Sequence, residues 1–553
     1  MTAACLYYHP DAYCTEGRQI MGRHAAGASF LRGFLEGTHG EDLWIQVEER
    51  SHLAGFELTA RALGRQQPVQ VVERSTLGRL EGPGVVFHPG PGLGQEAWQR
   101  SFHGHRRWSL CGITHTTCTA AVMDAICAFA TAPVQPWDAL ICTSEAVRAQ
   151  VQRLLENQAA YLRDRLGATR LVLPQLPLIP LGLHSDDFAP DSGRRERARR
   201  QLGLSADTLV VLFSGRLSFH AKAHPLALYQ ALELAARDCG HPVLLLECGW
   251  HANATIREAY REAAAQAAPS VPVRWLDGLD AEARRMAWAA ADLFCSPVDN
   301  IQESFGITPI EAMAAGLPVV VSDWDGYRDT VRDGIDGFRI PTRMPPGGLG
   351  GDLAARHALG IDSYDRYCGS SCAFVAVDVE AIAAAFARLF ASGELRRRLG
   401  EAGLRRAREQ YDWRVILPRY RELWRELQRI RRSSADPPPS AAVWPARPDP
   451  FALFAGYASA PLLPATVLWL NAPDAAAAVR RLEVLSSLAM VRYTLPLLPA
   501  REELTAVLVA ASAGPQPAGQ LLLAVGEERR PLMFRALLWL IKLDLLRPAV
   551  EAG

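Results

Sequence analysis

The chain is 553 residues long and carries 59 basic and 59 acidic residues, so it has no formal net charge at pH 7. Hydrophobic residues make up 49% and charged residues 21% of the sequence, which is typical of a globular protein. The length predicts three or four domains, and the charge balance excludes a broadly basic surface for nucleic acid.

Eleven cysteines are scattered along the chain without the paired spacing of a zinc site. The closest two in sequence, Cys368 and Cys372, are separated by three residues. We expect reduced thiols, no bound metal and a cytoplasmic protein. The N-terminal ten residues agree with this, because they lack the basic region and apolar stretch of a secretory signal and read as an early strand.

Short apolar segments alternate with helical segments over the first 190 residues, which predicts a mostly parallel sheet. The predicted elements are strands at 42–47, 84–88, 109–114 and 139–143 and helices at 28–36 and 120–130. A glycine-bearing turn at 17–27 precedes the first of these helices. Gly22 in this turn would let a phosphate or sugar approach the backbone, although the glycine spacing does not match G-x-G-x-x-G.

The alternation resumes near Thr208, with strands predicted at 209–213, 242–247 and 273–276 and an irregular insertion at 347–371. We therefore predict an α/β protein with two Rossmann-like doubly wound domains facing a cleft, followed by a small, mainly helical C-terminal domain. The predicted boundaries are 1–190 and 191–415 for the Rossmann-like domains, 416–432 for a helix returning toward the first, 433–450 for a proline-rich linker and 451–553 for the accessory domain.

Two segments of the accessory domain allow more than one interpretation. Residues 451–470 carry no charge and are long enough to span a bilayer, but Gly456, Pro461 and Pro464 favour a buried helix-turn segment. The helix at 532–546 can resemble part of a winged-helix DNA-binding domain, but it is apolar on most faces, which favours a core helix. We expect no nucleic-acid partner and leave peripheral membrane contact open.

A helix with clear boundary signals follows a short buried strand predicted at 292–298. Thr308 and Glu311 match the S/T-x-x-E capping box, with Pro309 at the first helical position. We expect the helix to begin near Pro309 and to stop at Gly316, before another apolar strand. In doubly wound sheets, ligands bind where strand ends meet such helix N-termini.

Two carboxylates flank this predicted helix start. Glu311 is expected in the first helical turn, where it could be a capping carboxylate or a ligand-binding group. Glu303 is expected in the loop ahead, beside Gly306, where it could be a solvated residue or could face a ligand. The sequence therefore gives these two carboxylates different environments.

A cationic turn is predicted after the strand at 209–213, where Gly215, Arg216 and Lys222 follow one another closely. Arginine suits bidentate phosphate contact and lysine a point-charge contact. One unit-charge contact at 4 Å is worth on the order of 4 kcal/mol at an effective dielectric near 20. The turn could therefore hold a pyrophosphate, although two solvated surface cations are the simpler interpretation of these residues alone.

A histidine follows a predicted strand on the side where the cleft should lie. His115 comes directly after Thr114, and His88 ends another strand and competes for the same position. A lone histidine is more often structural, so this feature alone does not identify a site.

Taken together, these motifs resemble those of the family 4 glycosyltransferases, which have the GT-B fold and are retaining enzymes that use nucleotide sugars. The resemblance covers roughly residues 1–432 and is strongest from 179 to 340. It rests on five segments: 179–188, 214–217 with Lys222, 303–320, 333–338 and 411–413.

The resemblance implies a role for each candidate residue. Arg216 and Lys222, beside Gly215, would hold the donor diphosphate. Glu303 and the backbone of Ser304, Phe305, Gly306 and Ile307 would contact the donor sugar, and Glu311 would bind the ribose hydroxyls. His115 matches the family's histidine after a strand of the first domain, but the aspartate that often follows is Thr116 here.

The implied reaction is glycosyl transfer with retention, from a nucleotide-diphosphate sugar to an unidentified glycan, lipid or small-molecule acceptor. No cofactor is expected beyond the sugar nucleotide, and the basic pair would replace a metal ion. A catalytically inactive scaffold of the same fold is the main alternative. A glycan phosphorylase is a second one, but no segment matches its pyridoxal phosphate lysine.

Overall fold

A computed structural model describes residues 4–13, 22–438 and 443–549. The chain divides into two compact units, Met1–Val443 and Trp444–Gly553. Each unit has its own buried apolar cores. The larger unit contains two six-stranded parallel sheets and the smaller one a three-stranded sheet with helices.

The first sheet has the strand order β3-β2-β1-β4-β5-β6, and all its neighbouring strands are parallel. Its apolar strands sit between two cores, one on each face. The four strands expected after the first were placed correctly, whereas β3, an edge strand interrupted by Gln70, was not anticipated. The strands are β1 Cys5–Tyr8, β2 Leu43–Val47, β3 Val69–Val72, β4 Val85–Phe87, β5 Ser109–Ile113 and β6 Ala139–Ile141.

The helices around this sheet are α1 Pro10–Tyr13, α2 Gly22–Gly37, α3 Ser51–Ala62, α4 Leu93–Ser101, α5 Ala120–Cys127 and α6 Glu145–Leu166, with 3₁₀ turns at Arg74–Glu81 and Ala128–Ala130. Residues 22–27 of the turn predicted at 17–27 are helical instead, because α2 begins at Gly22. A Cβ at Gly27 would lie 1.8 Å from the Ala12 carbonyl oxygen, so that glycine serves helix packing. Residues 14–21 lie outside the described part of the chain.

A buried ion pair ties α4 to the loop before β6. Arg100 donates through both terminal nitrogens to Asp138, at 2.6 and 2.7 Å, and both side chains are fully buried. Asp138 also accepts from the backbone N–H groups of Leu110 and Gln135, each at 2.8 Å. These four bonds satisfy the carboxylate, which is why it can remain charged in the core.

The second sheet has the order β12-β11-β10-β7-β8-β9 and is also parallel throughout. Its strands are β7 Leu209–Ser214, β8 Val243–Gly249, β9 Val273–Asp277, β10 Leu293–Ser296, β11 Val319–Ser322 and β12 Gly337–Ile340. The helices are α7 Ser192–Gln201, α8 Leu226–Arg237, α9 Ala254–Ala267, α10 Ala281–Ala290, α11 Ile307–Ala314, α12 Tyr327–Thr330, α15 Val379–Ala391 and α16 Gly393–Arg406, with short turns at Ser185–Phe188 and Ala407–Tyr411.

The predicted irregular insertion is in fact ordered secondary structure. An antiparallel pair, β13 Thr342–Arg343 and β14 Ala376–Val377, closes a segment that contains α13 Gly351–Ala358 and α14 Tyr364–Cys372. Ser363 caps α14 by accepting from the Arg366 N–H at 3.2 Å. The polar and glycine-rich composition hid these two short helices, of which α14 is held by its Ser363 cap and by the buried cysteines Cys368 and Cys372.

A long helix, α17 Trp413–Ser433, packs against the first sheet. Asp412 caps it by accepting from the Arg414 N–H at 2.9 Å. Its buried face carries Trp413, Tyr420 and Trp424, which share a core with the strands of the first sheet. The helix begins three residues before the predicted start of the returning segment, because Asp412 supplies the cap.

The smaller unit is a helical fold with one antiparallel sheet, ordered β16-β15-β17. Its elements are α18 Pro450–Leu453, β15 Val467–Leu470, α19 Ala475–Ser487, α20 Ala489–Arg492, α21 Arg501–Ala511, β16 Gln516–Pro517, α22 Ala518–Leu521, α23 Arg530–Lys542 and β17 Leu546–Pro548, with 3₁₀ turns at Ala455–Tyr457, Leu495–Leu497, Leu522–Ala524 and Glu527–Arg529. One face of α23 lies in the core through Met533, Ala536, Leu537 and Leu540.

The expectation of a buried helix-turn segment at 451–470 is wrong. The described segment forms one helical turn, a 3₁₀ turn and the strand β15, and Phe451, Leu453 and Tyr457 are all exposed. The proline and glycine residues stop the helix before it can bury a face. Within the described ranges, none of the helices has the length and apolar character needed to cross a bilayer.

Candidate active site

The candidate site lies at the carboxyl edge of the second sheet, between β7 and β10. These strands are neighbours, but the chain winds outward from them in opposite directions. Such a switch point leaves a crevice into which the loops after both strands project. The loop after β7 carries Arg216 and Lys222, and the loop after β10 carries Glu303. The fold thus brings together residues that are about eighty positions apart in sequence.

The first turn of this crevice is built by close backbone packing. Gly215 has a φ of +149°, and a Cβ on Gly249 at the end of β8 would lie 2.0 Å from the Gly215 carbonyl oxygen. The Gly215 N–H donates to the Cys248 carbonyl at 3.0 Å. Because two glycines let the strand ends approach, the loop that carries Arg216 starts from a fixed position.

An ion pair joins the two loops. Lys222 Nζ donates to Glu303 Oε2 at 2.9 Å, and the side chains are 29% and 13% exposed. Desolvation alone would raise the pKa of Glu303, but the ammonium of Lys222 and nearby backbone N–H groups outweigh it and hold the pKa below its ordinary value. Among the 59 basic residues of the chain, only Lys222 and Lys542 are lysine. The crevice therefore holds an accessible ammonium beside an ionised carboxylate.

The helix after β10 starts earlier than predicted. α11 begins at Ile307 with Gly306 as its N-cap, so Thr308 and Pro309 lie inside the first turn and the predicted capping box does not form. Glu303 supplies the carboxylate instead: its Oε1 accepts from the N–H groups of Ser304 at 3.3 Å and Gly306 at 3.1 Å. The predicted stop is confirmed, since Gly316 follows the helix with a φ of +73°.

Glycine is required at position 306. The residue has a φ of +80°, and a Cβ there would lie 1.8 Å from a ring carbon of Tyr327. Phe305 beside it is buried, and Ile307 opens α11. The glutamate-bearing loop is therefore held between a buried aromatic side chain and the ring of Tyr327.

Glu311 lies on α11 in the turn after the first, so its predicted place at the helix start is wrong. It keeps part of its surface exposed. Desolvation raises the pKa of Glu311 to about 7, and the guanidinium of Arg284 counteracts the shift. A carboxylate in this environment can accept hydrogen bonds from a ligand and exchange a proton near neutral pH.

One terminal nitrogen of Arg216 donates to two neutral acceptors. Its Nη2 donates to the Gln302 side-chain oxygen at 2.8 Å and to the Ala221 carbonyl at 3.1 Å. Neither partner neutralises the guanidinium, which keeps its full charge beside the Lys222–Glu303 pair. The arrangement can bind an anion without first breaking a salt bridge at Arg216.

The two candidate histidines lie in different environments. His88 is buried and stacks on Tyr7 with ring centroids 4.9 Å apart, and desolvation lowers its pKa to about 3, so it stays neutral. His115 is half-buried in the loop between β5 and α5. Its neighbour Thr116 lies 3.4 Å from Tyr364, which belongs to the second sheet's insertion. This placement favours His115 over His88 as the histidine of the cleft.

Ser144, at the N-cap of α6, links the first sheet's domain to the glutamate loop, a contact that no sequence motif predicts. Its hydroxyl donates to the Ser304 carbonyl at 2.8 Å and lies 3.3 Å from Asp325. Asp325 is a non-glycine residue with a φ of +43°, and desolvation and the charge of Glu303 raise its pKa well above the usual range. The two domains thus meet directly at the crevice.

Gly22, the remaining candidate, opens α2, and a Cβ there would have no heavy atom of residues 4–13, 22–438 or 443–549 within 4 Å. The preceding residues 14–21 are outside the described part, so the surroundings of Gly22 as a ligand site stay a prediction. Among the described residues, no group of three or more His, Cys, Asp or Glu side chains could hold a metal ion.

Comparisons with known sequences agree with this geometry. Residues 194–345 match the sequence model of the family described as glycosyl transferases group 1. The D-inositol 3-phosphate glycosyltransferase of Geodermatophilus obscurus is 35% identical over 251 residues, which are 43% of this chain and 52% of that protein. The enzyme of the same name from Nocardia farcinica is 32% identical over 240 residues, 42% of this chain and 51% of that protein. The chain thus spans about half the length of these relatives.

Comparisons with solved structures show the fold. Anabaena Alr3699/HepE in complex with UDP matches with a TM-score of 0.50 at 14% identity, covering 77% of this chain and 100% of that one. A glycosyltransferase from Rickettsia africae ESF-5 matches with a TM-score of 0.50 at 12% identity, covering 77% and 98% of the two chains. The predicted pair of Rossmann-like domains in a GT-B fold is confirmed.

Proposed function

We propose that this chain, whose residues 194–345 match the sequence model of the glycosyl transferases group 1, transfers a glycosyl group from a nucleotide-diphosphate sugar to an acceptor. The observation that carries the proposal is the Lys222–Glu303 pair at the switch point of the second sheet, with Arg216 beside it. A bound diphosphate needs cations, and a sugar needs hydrogen-bond acceptors, and the crevice offers both.

Charge balance assigns the basic residues to the leaving group. When the glycosidic bond breaks, negative charge grows on the nucleotide diphosphate. The ammonium of Lys222 and the guanidinium of Arg216 are positioned to stabilise this charge without a metal ion. Both are fixed before the donor binds, so little reorganisation is needed during the reaction.

The carboxylates are assigned to the hydroxyl groups of the donor. Glu303 is ionised and oriented by two backbone N–H groups and Lys222, so its free lone pairs can accept from the sugar. Glu311 lies further along α11, where a carboxylate can accept from the two vicinal hydroxyls of a ribose. His115 and Gly22, on the first domain, are assigned to the sugar and phosphate sides of the cleft.

The reaction is proposed to retain the anomeric configuration. Each described carboxylate of the crevice already has another assignment: Glu303 is tied to Lys222 and to two N–H groups, Glu311 is assigned to the ribose, and Asp325 accepts from Ser144. A front-face displacement is therefore the expected path. The leaving phosphate would accept the proton of the acceptor hydroxyl. An NMR spectrum of the product shortly after mixing reports its anomeric configuration, and inversion would refute this part of the proposal.

A thermal-shift screen with UDP-, GDP- and ADP-sugars tests donor binding. UDP-sugars are the first donors to examine, since UDP is bound in the Anabaena structure. D-inositol 3-phosphate is the first acceptor to examine, since it appears in the relatives' name. We expect one donor class to stabilise the protein and to be consumed in turnover. If no sugar nucleotide binds or is hydrolysed, the catalytically inactive scaffold becomes the better account.

A further inference from the structure

A chain of hydrogen bonds connects Arg216 to the insertion at 342–377. Arg216 Nη2 donates to Gln302 Oε1 at 2.8 Å, and Gln302 Nε2 donates to Tyr364 Oη at 2.7 Å. The Gln302 backbone is fixed as well, because its N–H donates to Asn300 Oδ1 at 2.9 Å. Tyr364 is the first residue of α14, so the orientation of the Arg216 guanidinium depends on a helix that lies outside the second sheet.

The orientation of the Gln302 amide is what Tyr364 controls. Arginine can only donate, so the amide must present its oxygen to Arg216 and its NH₂ group elsewhere. Tyr364 Oη accepts from that NH₂ group. Without this acceptor the amide loses the partner that keeps its oxygen turned toward the guanidinium.

The same tyrosine contacts the other domain. Tyr364 Oη lies 3.4 Å from both Thr116 Oγ1 and Cys118 Sγ, in the loop that follows β5 and begins beside His115. Desolvation raises the pKa of Tyr364 above its usual value, so the hydroxyl stays protonated and can donate to this loop. The Tyr364 hydroxyl therefore accepts a hydrogen bond from Gln302, the partner of Arg216, and also contacts the first domain.

A second contact marks the same docking. Cys118 Sγ lies 4.0 Å from Cys368 Sγ, one helical turn after Tyr364, and both thiols are buried. The loop after β5 thus meets α14 along two consecutive positions of one helix face. This makes α14 the element through which the first domain touches the diphosphate side of the crevice.

We propose that Tyr364 is a positioning residue that couples the docking of the first domain's loop at 114–119 to the orientation of the Arg216 side chain. The inference rests on the proposed function, since it assumes that Arg216 stabilises the leaving diphosphate. When the loop docks on α14, Tyr364 is fixed, the Gln302 amide is oriented, and Arg216 points at the crevice. When the domains separate, this alignment is lost.

Tyr364→Phe tests the coupling because it removes only the hydroxyl. We expect kcat to fall about 5- to 20-fold while the KM for the donor changes less than about twofold, since the interaction matters for the charge that develops on the leaving group. Gln302→Met should give a similar loss. The double variant should be no worse than either single variant, because both changes break the same chain.

Tyr367→Phe is the matched control on the same helix. The Tyr367 ring stacks on His357 with centroids 4.2 Å apart. Its hydroxyl interacts electrostatically with the thiols of Cys118 and Cys368, but among the described hydrogen bonds it makes none with Arg216 or Gln302. We expect wild-type kcat and an unchanged melting temperature. Equal losses in the Tyr367→Phe and Tyr364→Phe variants would mean that α14 acts only as a structural support, and this would overturn the proposal.

The native thiols report docking directly. Diamide oxidises two thiols to a disulfide by taking up their two protons and two electrons, and is itself reduced to a hydrazine. In the presence of the donor, Cys118 and Cys368 should cross-link faster in the wild-type protein than in Tyr364→Phe, as measured by peptide mass spectrometry. Cys118→Ser is the negative control, because it lacks one of the two thiols and cannot form this disulfide. Equal cross-linking rates together with equal kcat would refute the coupling.

The outcome for the proposed function is separate. If the wild-type protein neither binds nor turns over any sugar nucleotide, the proposed function fails. If it turns over and Tyr364→Phe has the same kcat, only the inference about Tyr364 fails.

Discussion

Replacing Lys222 with methionine is the most informative single perturbation of the crevice. The variant keeps much of the aliphatic stem and removes one positive charge from the proposed diphosphate site. A unit-charge contact at 4 Å is worth about 4 kcal/mol at an effective dielectric near 20, and the cost of desolvating the ammonium offsets part of it. We expect a loss of about 2–3 kcal/mol of transition-state stabilisation, which corresponds to roughly a 30- to 200-fold decrease in kcat.

Replacing Lys222 also leaves the carboxylate of Glu303 without its charged partner. Without Lys222, desolvation of Glu303 is offset only by the backbone N–H groups, so its pKa rises and the loop loses part of its stability at neutral pH. Adding Glu303→Gln to Lys222→Met removes the unpaired charge, so the double variant should melt at a higher temperature than Lys222→Met alone. The turnover of the double variant should stay low, because the cation is still missing.

Initial rates with saturating donor give the comparison, and Lys542→Met is the matched control, since it changes the only other lysine of the chain. The control should retain the wild-type rate. If Lys222→Met kept more than half of the wild-type kcat with an unchanged donor KM, the assignment of Lys222 to the leaving diphosphate would be wrong.

Three further changes test other parts of the account. Gly306→Ala forces a Cβ against Tyr327 at a positive φ, so the free energy of unfolding measured in urea should fall by about 2–4 kcal/mol. A fall below about 0.5 kcal/mol, which is roughly the effect of a neutral surface substitution, would contradict the geometry. Desolvation raises the pKa of Glu311 to about 7, and in the proposed function the ribose hydroxyls donate to its ionised form. The donor affinity measured by calorimetry should therefore rise up to about tenfold from pH 6 to 8, whereas Glu311→Gln should flatten the profile. A slope that persisted in Glu311→Gln would exclude that role. Arg100→Met leaves the buried Asp138 carboxylate without its cationic partner, so the free energy of unfolding should fall by about 3–5 kcal/mol. A smaller fall in Arg100→Met/Asp138→Leu would show that the unpaired charge is the cause. Equal falls in the two variants would argue against this explanation.

Most strands of the two parallel sheets followed from the sequence because buried parallel strands leave a simple apolar signal, but the edge strands β3 and β12 were not predicted. The helix stop at Gly316 was equally readable, since a left-handed glycine after a helix leaves few alternatives. The motifs around Arg216 and Glu303 likewise pointed to one crevice, which the sheet order brings together.

The details of the two carboxylates were not readable in the same way. Thr308, Pro309 and Glu311 have the spacing of a capping box, but Gly306 forms a left-handed N-cap two residues before Thr308, and Glu303 accepts from the N–H groups. This choice is set by the packing of Gly306 on Tyr327, which is a contact between distant positions. Local sequence patterns do not contain that information.

Contacts between the two domains were hidden for the same reason. Ser144 and Tyr364 are ordinary polar residues in sequence, and only the fold brings one to Ser304 and the other to Gln302. The insertion that carries Tyr364 also has a composition typical of a loop, so its two helices gave no clear periodic signal.

Chemical labelling of lysine tests most directly whether a sugar nucleotide occupies the crevice at Lys222. The chain contains two lysines, so a water-soluble N-hydroxysuccinimide ester followed by peptide mass spectrometry reports on Lys222, with Lys542 as an internal reference. A donor that is turned over should slow the labelling of Lys222 at least fivefold and leave Lys542 unchanged. Unchanged labelling of Lys222 at a saturating donor concentration would contradict the proposed site.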